Sequence, residues 1–180
     1  TGAVALQKMR EFWDIYDANG NIISDRVTER GKHDLAPNEY HLVVFAWIIN
    51  DKNEFIISRR QKGRTFAGKW ECTGGCAISG DTSITAALRE VKEELGLTLS
   101  AEDGELFKRY RREYPSWARA ICDVWVFRKN FEMSDFSLQE EEVSEVKFVS
   151  ADELLKIFGS GSYKKRYEYL PELVKKYVKR

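Results

Sequence analysis

Residues 41–50 read HLVVFAWIIN, an almost unbroken apolar run in a chain of 180 residues. A half-exposed strand alternates apolar and polar side chains, whereas a strand without a polar face needs cover on both sides. The run therefore predicts a buried central strand and, with it, a layered fold. It turns through DKNE into FIISRR, which makes a hairpin. Upstream, FWDIYDANGNIISDRV sets two apolar stretches around DANGN and predicts an N-terminal β-hairpin. ERGKHDLAPNEYH, polar and containing Pro37, reads as a loop.

Residues 70–73 suit a short strand, and ELFKRYRREY, ARAICDVWVFRK and EVKFVS read as further strands. The clearest helix spans 82–95, where Ile84, Ala87, Leu88, Val91 and Leu95 recur at helical spacing. Asp81, Thr82 or Ser83 can cap its start, and Gly96 can close it in a left-handed conformation. ADELLKIF and LPELVKKYVK add two helices near the C-terminal end. Together these elements predict an α/β/α sandwich, a mixed sheet between helices, with Trp47 and Trp125 in its core. One domain over 9–180 is expected, with residues 1–8 a cloning remnant or a disordered end.

Lys and Arg together number 29, as do Asp and Glu, so no net charge draws the chain to nucleic acid or a membrane surface. No apolar stretch approaches the roughly 20 residues needed to span a bilayer. Three sparse cysteines suit a reduced, cytoplasmic protein. Cys72 and Cys76 stand as C-x3-C without a second pair, which does not make a structural zinc site.

The helix raises the functional question. Glu90, Glu93 and Glu94 follow a glycine-rich loop and fall on one arc of about 100° when each residue turns by about 100°. Like-charged neighbours at these spacings destabilise a helix by roughly 0.2–0.5 kcal/mol each, a burden that a solvated acidic face can tolerate. The other reading is that converging carboxylates supply oxygen ligands to a divalent cation. Arg89, four residues before Glu93, can pair with it and hold it in position.

Residues 75–97 resemble the Nudix box, G-x5-E-x7-R-E-U-x-E-E-x-G-U, where U is bulky and aliphatic. Gly75 matches its first glycine, and Arg89, Glu90, Val91, Glu93, Glu94, Gly96 and Leu97 match its second half. Asp81 stands where the family usually has glutamate, and its shorter side chain predicts a weakened pairing with Arg89. The resemblance implies metal-dependent hydrolysis of a diphosphate linked to another moiety X, with Mg²⁺ or Mn²⁺ as cofactor. It implies Glu90, Glu94 and Glu93 as metal-binding residues, with a carbonyl at Gly75–Cys76. Glu142, in LQEEEVSEVKFVS, is the favoured general base, with Glu93 and Arg89 in supporting catalytic roles. Arg60, Arg64, Arg111 and Trp117 are the candidate substrate-binding residues, from two segments rich in cations and aromatics. The expected partner is a small-molecule diphosphate, and a homodimer is the implied assembly.

The upstream region is also similar to the isopentenyl-diphosphate isomerase branch of the superfamily, which places two metal-binding histidines near His33 and His41. That isomerase needs a catalytic cysteine where this chain has Gly74, and a histidine where it has Cys76. Hydrolysis is therefore the expectation, with isomerisation or a non-catalytic diphosphate-binding module as alternatives.

Overall fold

The computed structural model describes residues 10–63 and 66–180. Residues 1–8 and Arg64 lie outside the described residues. The N-terminal hairpin pairs β1 (Phe12–Tyr16) with β2 (Ile22–Glu29) as a separate two-stranded sheet. The central strand is β3 (His41–Ile49), buried at every position. It runs parallel to β8 (Ala120–Arg128), which pairs antiparallel with β7 (Gly104–Arg112).

The other edge of β3 is shared. After the DKNE turn, β4 (Glu54–Arg60) pairs with β3 only at Ile49 and Phe55, then diverges to pair with β9 (Val143–Ser150) and with β5 (Trp70–Glu71). The edge that β4 leaves open is taken by β6 (Thr73–Cys76), with Val43 opposite Cys76 and Val44 opposite Gly75. The single strand expected at 70–73 is thus two, because its residues pair with different neighbours. Gly74 permits the close approach: a Cβ there would lie 2.1 Å from the Val44 carbonyl oxygen.

Period-two alternation sends successive β3 side chains to opposite layers. Leu42, Val44, Ala46 and Ile48 pack with Ala87, Val91 and Leu95 of α1 (Ser83–Leu95). Val43, Phe45, Trp47 and Ile49 pack with Leu154 and Phe158 of α2 (Ala151–Phe158) and with Leu170 and Leu173 of α4 (Leu170–Tyr177). A four-residue helix, α3 (Tyr163–Arg166), precedes α4. Both faces of the strand are therefore covered, as its composition demands, in an α/β/α sandwich. Burying Val91 and Leu95, each 0% exposed, stabilises the α1 layer by roughly 1.5–3 kcal/mol apiece. The buried Trp47 indole donates to the Tyr169 hydroxyl at 3.0 Å, and Trp125, partly buried, donates to Ser83 Oγ at 2.9 Å. No helix among the described residues is long and apolar enough to cross a membrane.

Candidate active site

Helix α1 carries the three glutamates, and its ends fix where they point. The Thr82 hydroxyl caps the start by accepting from the Thr85 N–H at 3.3 Å, and the Thr85 hydroxyl accepts from the Thr82 N–H at 2.8 Å. Gly96 ends the helix with φ 73°, donating its N–H to the Lys92 carbonyl at 3.0 Å. A side chain at Gly96 would meet Ser137 at 2.7 Å, so the segment before β9 lies directly on the helix end. There the Ser137 and Gln139 N–H groups donate to the carbonyls of Leu95 and Glu94 at 2.9 and 3.0 Å.

This cover changes the character of the acidic arc. The Glu93 side chain is 51% exposed, but that of Glu90 is only 13% exposed. Glu94 Oε2 is buried with no hydrogen-bond partner among the described residues. The arc is not a uniformly solvated face. It walls a cavity of about 300 Å³ with the β6 backbone at Gly74–Cys76 opposite. Gly75 is pressed against Glu90, since a Cβ there would lie 2.6 Å from a Glu90 carboxylate oxygen.

Charge in the cavity is unbalanced among the described residues. Among the described residues, its lining contains five carboxylates, Glu11, Glu90, Glu93, Glu94 and Glu142. Three guanidiniums face them, Arg30, Arg60 and Arg89. Burial raises the Glu90 carboxyl to about 7 against the pull of Arg89, with Glu93 adding to the rise. Burial holds Glu94 well above the usual carboxylate range, helped by repulsion from Glu90, Glu71 and Glu142. Among the described residues no three His, Cys, Asp or Glu side chains already form a cation cage. Arg89 instead reaches Glu90 at 3.2 Å and Glu93 at 3.1 Å. A buried, unpartnered carboxylate oxygen beside a second carboxylate is nonetheless the donor chemistry that a hard dication satisfies.

The Arg89–Asp81 contact departs from expectation. Asp81 Oδ2 accepts from Arg89 Nη2 at 2.9 Å and from Nε at 3.2 Å, so the missing methylene leaves the pairing intact. The same oxygen accepts from the Ile78 N–H at 3.0 Å, in a turn where Gly80 takes φ +92°. Arg89 Nη2 also donates to the Cys76 carbonyl at 3.2 Å.

The other candidates scatter. Arg60 lines the cavity while held by Glu71 at 3.0 Å, and Glu142 lines it from the turn before β9. Arg111 is exposed on β7, 3.6 Å from Glu113, and does not line the carboxylate cavity. Trp117 stacks edge-on against His33 at 4.6 Å in a separate cavity of about 40 Å³. Arg109, also cationic on β7, is bound by the buried Asp123 at 2.6 and 2.8 Å. His41 is buried against the Trp13 ring at 4.3 Å, and burial together with Arg112 and Arg30 pushes its pKa down to about 4. Burial pushes the Cys76 thiol up to about 12, which makes it a poor nucleophile. Sequence reasoning missed Glu11 and Arg30. They reach the cavity because the hairpin docks on the loop before α1, where the Ser79 N–H donates to the Phe12 carbonyl at 2.8 Å.

Residues 39–170 match the family model of the NUDIX domain. The chain belongs to the Nudix family. An uncharacterized Nudix hydrolase of Listeria innocua is 37% identical over 155 residues, covering 85% of this chain and 88% of the relative. A MutT protein from Methanosarcina mazei shares 29% identity at a TM-score of 0.59, over 76% of this chain and 96% of its own. DR0079 from Deinococcus radiodurans, at 20% identity, shares the fold with a TM-score of 0.68 over 94% of this chain and all of its own length. This Nudix hydrolase is by class a pyrophosphohydrolase.

Proposed function

We propose that this Nudix hydrolase cleaves the diphosphate linkage of a nucleoside diphosphate joined to a further moiety X, or of a related organic diphosphate, by attack of water on phosphorus. The observation that carries the reading is the Glu94 oxygen that has no hydrogen-bond partner among the described residues, buried beside Glu90 where described carboxylates outnumber described guanidiniums. Glu90 and Glu94 would hold Mg²⁺ or Mn²⁺, with Glu93 completing the set and the Gly75 backbone close by. The dication, when bound, supplies charge neutralisation to the diphosphate and acidity to water.

The chain's own groups do the rest. Arg30 and Arg60 line the same cavity and orient phosphate oxygens through charge-assisted hydrogen bonds. Arg89 positions Glu93 by the 3.1 Å contact and braces the loop through Asp81. Glu142, on the cavity wall, accepts the proton of the attacking water, with Glu93 the second candidate for that role. The placement of His33 and His41 away from the cavity lining gives the isomerase alternative no support. All three box glutamates are present, and this favours an enzyme over a binding module.

The reading carries a single domain over 9–180, a cytoplasmic setting in keeping with three unpaired cysteines, and a homodimer that sedimentation would test. The deciding experiment is a panel of diphosphates with Mg²⁺ and with Mn²⁺, run on the wild type and on Glu94→Gln. Cation-dependent turnover that is lost in the variant supports the reading. Equal turnover in both, or none in either, defeats it.

A further inference from the structure

Arg60 lines a second cavity as well, of about 160 Å³, bounded by Lys69, Trp70, Glu71, Tyr163 and Arg166. Its charge balance is the reverse of the first. Among the described residues, Arg60, Lys69 and Arg166 face a single carboxylate, Glu71, which Arg60 already engages at 3.0 Å. The Arg166 guanidinium lies over the Phe45 ring at 5.8 Å and the Tyr167 ring at 5.5 Å. It makes no hydrogen bond or ion pair with the described residues. Lys69 Nζ stands 5.3 Å from the Phe66 ring and 5.7 Å from the Tyr163 ring, and donates to Ser162 Oγ at 3.1 Å without a carboxylate partner.

Two cations placed by aromatic rings, with no carboxylate hydrogen-bonded to either among the described residues, are preorganised donors for an anion. The cavity is smaller than the roughly 300–1,000 Å³ of pockets that enclose whole ligands, so it suits one group of a larger molecule. We propose that it is a second anion site, seating a phosphate carried by the X moiety while the diphosphate lies against the carboxylates. Arg60 is common to both. The assignment to X rests on the hydrolase reading above, and the substrate class it names is a nucleoside diphosphate derivative whose X carries a phosphate monoester.

The site is tested without catalysis by titrating inorganic phosphate calorimetrically into metal-free protein, where the first cavity has no dication to hold phosphate and cations predominate in the second among the described residues. Arg166→Gln should weaken phosphate binding about tenfold or more, the loss of one charge-assisted hydrogen-bond partner, and Arg166→Lys should recover much of it. Thermal melts show whether each variant is folded. No phosphate uptake by the wild type, or equal uptake by wild type and Arg166→Gln, overturns the site. The assignment to X is read from kcat/KM for ADP-ribose and for ADP-ribose phosphorylated on its terminal ribose. The wild type should favour the phosphorylated compound about tenfold, and Arg166→Gln should erase that ratio. Phosphate binding with no such preference overturns the assignment. Absence of turnover for both compounds likewise overturns the assignment, whereas the hydrolase reading is decided by the diphosphate panel and the site by the calorimetry.

Discussion

Arg89 and Asp81 are paired at 2.9 Å across the loop that leads into α1, and the same guanidinium reaches Glu90 and Glu93. One cation therefore ties the loop to two box carboxylates. Asp81→Asn keeps the shape but removes the charge, so Arg89 loses its anchor and the carboxylates lose their alignment. Turnover should fall roughly tenfold, the value of a charged hydrogen bond. Asp81→Glu restores the charge with a longer arm and should stay within a few-fold of wild type. Steady-state kinetics at saturating metal separate the two, and an Asp81→Asn variant as active as the wild type would refute this positioning role.

Glu94 joins function to instability. Its folded-state pKa is raised by burial, so between the unfolded value near 4.5 and the higher folded value the native state binds more protons than the unfolded chain. Stability of the metal-free protein therefore falls as pH rises through that window. Glu94→Gln removes the titration. It should lose at least about 100-fold in rate while melting several degrees higher than the metal-free wild type at pH 8. The stability gap should close towards pH 4.5. A variant that melts no higher at pH 8 would show that the carboxylate is not strained there.

Much of this arrangement was legible in the sequence, because its signals are local. The β3 run, the N-terminal hairpin, the α1 face and the Gly96 stop all follow from spacing and turn chemistry within a few residues, whereas the hairpin expected through DKNE closes at a single pair before β4 diverges. What escaped depends on contacts between distant segments. A helical wheel put the three glutamates on one arc but could not show the 137–139 segment closing over it. The exchange of β4 for β6 along β3 divides residues 70–76 between two partners, and no periodicity records that. Glu11 and Arg30 enter the cavity through hairpin docking, whereas the exposed Arg111 and Trp117 looked equally suited in one dimension.

Cation uptake should be coupled to proton loss. With Glu90 near 7 and Glu94 well above its ordinary value, the metal-free site holds protons at neutral pH that an oxygen ligand must surrender. Titration of Mg²⁺ in buffers of different ionisation enthalpy should report net proton release near pH 7. Affinity should rise with pH through that range, because the carboxylates become available as they ionise. Buffer-independent heats would remove these two residues from the ligand set.

Gly74 and Gly75 are adjacent, yet they should respond to alanine in opposite ways. At Gly74 the new methyl would lie 2.1 Å from the Val44 carbonyl oxygen, on backbone that pairing with β3 holds in place. Gly74→Ala should destabilise the fold by about 1–3 kcal/mol or more, seen as a lower Tm. At Gly75 the atoms nearest the methyl would be the end of the Glu90 side chain, at 2.6 Å, and a side chain can swing away. Gly75→Ala should melt close to the wild type but bind cation roughly 10–100-fold more weakly, as when a group that orients a ligand is disturbed. Unchanged cation affinity in folded Gly75→Ala would show that the press of Glu90 against the β6 backbone has no part in holding the metal.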